Sequence, residues 1–212
     1  MAGRKRAAGP PSRSVVCPLS GTDVRTSVLD RGVVTDVNGS LRDMARRIEH
    51  QATTRWTADE VHAALVDPTY LRDRLSKLGG TDATLLEHQV DGEKVSLRLR
   101  HGVPASELPS AVRAFLKGDL VIERTEEWDR NGDGGWLGRV QAGIPGVPGH
   151  IKGAMRLSDE AGGGSTMLMR GEVAVNIPFV GGKVEEVVSG QIVKLLTREF
   201  EHTTEWLDTH QN

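Results

Sequence analysis

The segment that most restricts the fold of this chain is its last long one, Pro178 to Leu207, PFVGGKVEEVVSGQIVKLLTREFEHTTEWL. Stepped at ~100° per residue, it reads as one amphipathic helix of about eight turns. One face carries Val184, Val188, Ile192, Leu195, Leu196, Thr203 and Trp206, and the opposite face Glu186, Lys194, Thr197, Glu201, Thr204 and Glu205. Gln191, Glu199 and His202 fall inside or beside the apolar arc. A rod of this kind needs a surface on which to bury its stripe.

The preceding chain supplies such a surface. Arg46 to Trp56 alternates with a period of two, as a half-buried strand does. Thr57-Ala-Asp-Glu60 is a capping box, followed by a helix ending before Pro68, then a short second helix, Thr69 to Leu78, stopped by Gly79-Gly80. Thr84–Val90 and Glu93–Val103 flank Asp91-Gly92, a tight-hairpin signal. Pro104 to Lys117 reads as a helical or irregular insertion holding Leu108, Val112, Phe115 and Leu116. Strands follow at Asp119–Asp129, Trp136–Ile144, His150–Leu157 and Ser165–Asn176. Neighbouring strands joined by short turns, with helices to one side, imply an α+β layer with an antiparallel sheet.

The chain has 212 residues, 37% hydrophobic and 26% charged, which suits one globular domain. Residues 1 to 43 hold seven Lys/Arg and four Asp, net +3, without one aromatic residue; the remainder holds 20 basic and 25 acidic residues, net -5. We read 1–43 as a disordered, solvated tail or an over-extended gene start, since Met44 opens MARRIEHQATTRW, and 44–212 as the domain. No apolar run reaches the ~20 residues of a membrane span, and the single cysteine, Cys17, can form no internal disulfide, so a cytoplasmic location is expected. The acidic balance after residue 43 disfavours nucleic acid.

Asp129-Arg-Asn131-Gly-Asp133-Gly134 copies the first half of a calcium loop, but Val140 stands where the bidentate Glu belongs, so a hairpin turn is the preferred reading. No metal site or cofactor is expected. Gly181-Gly182 lacks the partners of a phosphate cradle. Glu199 and His202, three apart, are neighbours on one helix face. The favoured reading is a partly solvated pair at the rim; contact with a ligand, or general acid/base work, are the alternatives. Arg124, Glu126 and Trp128 share a phase with Ile122, either as a buried pair beside an aromatic or, the favoured reading, exposed by a bulge. His50 and His101 lie on apolar strand faces as core histidines, and Met155, Met167 and Met169 suit a core or an adaptable wall.

This order of elements resembles the helix-grip fold of the START-like superfamily, which includes polyketide cyclases, steroidogenic lipid-transfer proteins and birch-pollen allergens. The resemblance spans Met44 to Leu207 and implies a curved seven-stranded antiparallel sheet wrapped around a long C-terminal helix, with a ligand cavity between them. More narrowly, MARRIEHQATTRWTADEVHAALVDP, ERTEEW at 123–128, GIPGVPG at 143–149 and VNIPFVGGKVEE at 175–186 resemble domain-of-unknown-function family 2505. That branch implies a fold and a cavity, and no reaction. The expected wall is Leu97, Leu99, Ile122, Met155, Met169, Val188, Ile192 and Leu195, with Gln191, Glu199 and His202 as polar contacts. The expected function is binding of a hydrophobic or amphipathic small molecule, lipid-like or polyketide-like. The alternatives are a cyclase, dehydratase or hydrolase acting through Glu199 and His202, and an interaction module with a filled core.

Overall fold

A computed structural model describes residues 24–29, 45–107, 110–113, 118–146, 148–176 and 181–210. The elements within them are β1 (Val24–Leu29), β2 (Arg46–Thr54), α1 (Ala58–Val66), α2 (Pro68–Leu78), β3 (Thr84–Asp91), β4 (Lys94–Val103), the single turn α3 (Ser110–Arg113), β5 (Leu120–Arg130), β6 (Trp136–Gly143), β7 (Gly149–Asp159), β8 (Ser165–Val175) and α4 (Gly181–His210). Cys17, Leu108, Phe115, Leu116 and the first residues of the long C-terminal segment, Pro178–Val180, lie outside the described residues.

Local chemistry sets the helix boundaries. Thr57 accepts from the Glu60 backbone N–H while the Glu60 carboxylate accepts from the Thr57 N–H at 2.8 Å, closing the capping box at the start of α1. The Asp67 carboxylate accepts from the N–H groups of Thr69 and Tyr70 at 2.7 and 2.8 Å, so one residue ends α1 and caps α2, with Pro68 in the first turn. The β3–β4 hairpin pairs Asp91 with Lys94, which makes Gly92-Glu93 the two-residue loop, one position beyond the expected Asp91-Gly92. Gly92 takes φ +60°, which a glycine reaches without steric cost and Asp91 would not.

All strands join one antiparallel sheet in the order β1-β2-β8-β7-β6-β5-β4-β3. Strands β2 to β8 are the seven expected ones. The eighth, β1, departs from the tail reading of residues 1–43: Val24 pairs with Ala52 and Leu29 with Arg47 along the free edge of β2. Its sequence, VRTSVL, carries three β-branched residues, which suit an extended edge.

α4 is 30 residues long, so it spans ~45 Å at ~1.5 Å per residue. It packs on β2 and β8 and against α1 and α2. Two apolar clusters result. The larger gathers α1, α2, the C-terminal half of α4 and the middle strands around Tyr70, Trp128, Trp136, Leu157 and Phe200. The smaller sits under the N-terminal half of α4, around Ile48, Leu120, Val173 and Val175. The long helix is therefore gripped by the sheet, tightly packed at one end.

Candidate functional site

At the other end the packing opens into a cavity of about 430 Å³. Its helix wall is Val187, Val188, Gln191, Ile192, Leu195 and Leu196 of α4. Its sheet wall takes His101, Ile122, Arg124, Val140, Ile151, Met169 and Val173 from five strands, and Gly79 and Gly80 close one side. Lys194 and Arg198, both exposed, border it on α4, and His150 does so from β7. Volume and apolar lining fall in the range of small-molecule sites, ~300–1,000 Å³.

Six of the expected residues line this hollow: Ile122, Met169, Val188, Gln191, Ile192 and Leu195. Gln191 does so from an exposed position at the edge. Leu97, Leu99 and Met155 do not; they belong to the solid core. The reason is position along the strand. Leu97, Leu99 and His101 occupy successive inward sites of β4, and the hollow begins only at His101. Nearer the helical cap, Trp128 fills the space against Gly138 and Met155, where an added Cβ on Gly138 would lie 2.7 Å from the Met155 methyl and 3.1 Å from the indole.

Glu199 and His202 also stand outside the cavity lining, and both are buried rather than at a solvated rim. The helix is rotated so that Glu199 meets strand β5. Arg124 Nη1 donates to both its carboxylate oxygens at 3.1 and 2.9 Å, and Arg124 Nη2 lies 2.8 Å from Glu126 Oε1. Arg74 of α2 completes the cluster, 3.6 Å from Glu126 and 3.8 Å from Glu199. Trp128 Nε1 donates to Glu126 at 3.3 Å. The β4–β5 register runs unbroken through Leu120–Trp128, so no bulge turns Arg124 and Glu126 outward. This corrects the exposed reading of that pair: two guanidinium groups and two carboxylates offset one another below the sheet surface. His202 instead has its Nε2 2.9 Å from Asp73 and its ring stacked on Tyr70.

The electrostatics follow from burial and partners. Burial pushes the Glu199 carboxyl up, but Arg124 and Arg74 outweigh it and hold the pKa at about 2. Burial lowers Arg74, whereas Glu199, Tyr70 and Glu126 raise it further, to a net upward shift. Burial drives Tyr70 up to about 12; its hydroxyl is 2.6 Å from the Thr203 hydroxyl, which donates to the Glu199 carbonyl. His101 is lowered to about 4, by burial first, against the opposing pull of Glu199. His101 Nε2 is buried with no hydrogen-bond partner, and Arg124 Nε shares that condition.

Arg74 was not singled out from the sequence, although a signal existed: it sits between Tyr70, Leu71 and Leu75 on the buried face of α2. Within Asp129–Gly134, Asp129 and Arg130 end β5, and Asn131–Gly135 forms the β5–β6 hairpin turn, with Asn131 N–H donating to the Gly135 carbonyl and Gly134 N–H to the Asn131 carbonyl. Among the described residues no helix is long and apolar enough to cross a membrane.

Solved structures share this architecture at low identity. Norcoclaurine synthase from Thalictrum, determined with a transition-state analogue, superposes with a TM-score of 0.51 at 15% identity, covering 82% of this chain and 100% of that one. TTHA0849 from Thermus thermophilus gives 0.51 at 13%, covering 75% and 94%. Human STARD10 gives 0.50 at 11%, covering 94% and 77%. These similarities establish the START-like helix-grip fold. By sequence, the uncharacterized proteins Rv0481c of Mycobacterium tuberculosis and Mb0491c of Mycobacterium bovis are each 31% identical over 173 residues, which is 77% of this chain and 98% of theirs. Residues 49–207 match the model of the family described as protein of unknown function (DUF2505), and to that family the chain belongs.

Proposed function

We propose that this protein binds a hydrophobic or amphipathic small molecule, lipid-like or polyketide-like, between the sheet and α4. The observation that carries this reading is the 430 Å³ hollow, walled by aliphatic side chains from both sheet and helix in a molecule otherwise well packed. An unfilled apolar space forfeits dispersion contacts along its lining, and an apolar guest restores them.

The geometry does not favour turnover through Glu199 and His202. Each is engaged by different partners, and a carboxylate held at about 2 is a weak base at neutral pH. A filled interaction module is disfavoured by the hollow itself. The single cysteine fits residence in a reducing cytoplasm.

Native mass spectrometry of the protein purified from its own host tests the reading directly. A co-purified apolar molecule, lost in the Ile192→Trp variant, is the expected result, because an indole at this wall position occupies the hollow. Retention of the same molecule by a folded Ile192→Trp protein would remove the cavity from consideration.

A further inference from the structure

The hollow stops sharply along three elements that run on into the core. The inward side chains of β5 are, in order, Leu120, Ile122, Arg124, Glu126 and Trp128; the first three line it and the last two do not. On β4, Val103 and His101 line it, and Leu99 and Leu97 do not. On α4, Leu196 and Arg198 line it, and Glu199 and Phe200 do not.

The side chains at that boundary are the buried charges. Arg124 of β5 lies 2.9 Å from Glu199 of α4 and 2.8 Å from Glu126, and Arg74 of α2 stands 3.6 and 3.8 Å from the two carboxylates. One set of charges therefore bridges the sheet, the long helix and α2. Carbon packs at ~3.5–4.0 Å from the atoms on each side of it, so no alkyl chain passes between Arg124 and Glu199 while they stay in contact. Parting them would leave two buried charges poorly matched, which is strongly unfavourable. Behind the cluster the core is solid, with Trp128, Leu97, Leu99 and Met155 packed together.

Volume then sets capacity. A methylene group fills about as much space as a water molecule, ~30 Å³ in the liquid. The 430 Å³ hollow accordingly holds about 14 such groups.

We propose that the Arg124–Glu199 pair, with Arg74 and Glu126, is the floor of the hollow and restricts the guest to one alkyl chain or compact ring system of about 14 carbon-sized groups. A two-chain phospholipid exceeds that capacity. This rests on the ligand-binding reading above and adds the size of the guest and the residues that limit it, whichever end of the guest enters first.

Two probe series test it on the full chain by isothermal titration calorimetry: alkanoic acids from octanoic to octadecanoic, and alkyltrimethylammonium ions over the same lengths. Their head groups carry opposite charges, so chain length alone is common to both. In whichever series binds, affinity is expected to rise about fourfold per added carbon as far as the tetradecyl chain and to level off beyond it, because further carbons stay in water. Arg124→Leu combined with Glu199→Leu removes one charge of each sign and shortens both side chains, so the break should move to longer chains. If that variant does not fold, the corresponding Met pair, whose unbranched side chains yield to a guest, takes its place. A break that stays put in the folded double variant takes the floor away from these residues. An unbroken rise to the octadecyl chain in the wild-type protein, or uptake of dipalmitoylphosphatidylcholine from vesicles, overturns the size limit and leaves the cavity reading intact. If neither series binds the wild-type protein at any length, both readings fail together.

Discussion

Glu199 lies between two guanidinium groups in a place that water does not reach, so its charge is tied to the fold. Glu199→Gln keeps the shape and removes the charge, leaving Arg124 and Arg74 to share Glu126 alone. We expect a loss of ~3–5 kcal/mol, the cost of breaking a buried pair from one side. Arg124→Met combined with Glu199→Met removes one charge of each sign and should cost less than the Gln variant alone. Urea unfolding at neutral pH measures both; a Gln variant as stable as its parent would mean that this cluster does not hold the helix to the sheet. The sequence carried half of this arrangement. Period two put Arg124 and Glu126 on the same side as Ile122, and helical period put Glu199 in the apolar arc. What could not be read was their meeting, because Arg124 and Glu199 are 75 positions apart and nothing local records a contact at that distance. Without Arg74 and Glu199 a buried Arg124–Glu126 pair is poorly satisfied, so those two residues alone favour exposure.

At the scale of elements, boundaries fixed by local chemistry were legible and close approaches were not. The capping box, Pro68 and the strand alternation of β2 and β4 all act within a few residues, and each element formed where its signal lay. Gly79-Gly80 was readable as the stop of α2, but it has a second role that only the assembled fold reveals. Gly102 N–H donates to the Gly79 carbonyl at 2.9 Å, and Gly80 bridges Gly102, bringing two backbones together beside the cavity. A Cβ on Gly102 would fall 1.8 Å from the Thr81 carbonyl oxygen, where backbone and not a flexible side chain must yield. Gly102→Ala should therefore cost about 2 kcal/mol or more, as overpacking against fixed atoms does. It should also weaken uptake of an apolar probe, because the wall moves with the strand. Unchanged thermal melting together with unchanged probe binding would show that α2 and β4 separate at little cost. The unforeseen β1 teaches the complementary point: composition argued for a tail, whereas the free edge of β2 supplied the partner that a marginal strand requires.

For the whole molecule, the order of elements was enough to expect a sheet gripping a terminal helix, but where solid core gives way to hollow depends on how Trp128, Tyr70 and Phe200 fill one end, which no periodicity encodes. That packing also buries histidines on several elements, among them His50 on β2, His62 on α1 and His101 on β4. Burial lowers each to about 4, with Glu199 opposing the shift at His50 and His101, and Asp59 opposing it at His62. Their folded values lie below the unfolded value of 6.5, so the fold favours the neutral rings. The unfolded chain then takes up protons that the folded chain refuses as pH falls below that value. Stability is complete above about pH 6.5 and declines toward about pH 4, each histidine steepening the slope by up to ~1.4 kcal/mol per pH unit. Glu199 has the opposite charge but adds to the same trend at lower pH. Its folded value of about 2 lies below the usual 4.5, so its contribution is present above 4.5 and is lost as pH falls toward 2. Urea midpoints should accordingly be level above about pH 7, fall most steeply through the histidine window and go on falling, less steeply, below about pH 4 as Glu199 titrates. Replacing His50, His62 and His101 by Gln should flatten the first decline and leave the second, since no glutamine titrates and Glu199 keeps both arginines. A midpoint that stays level down to about pH 4.5 in the parent protein would mean that the three rings reach water in the folded state.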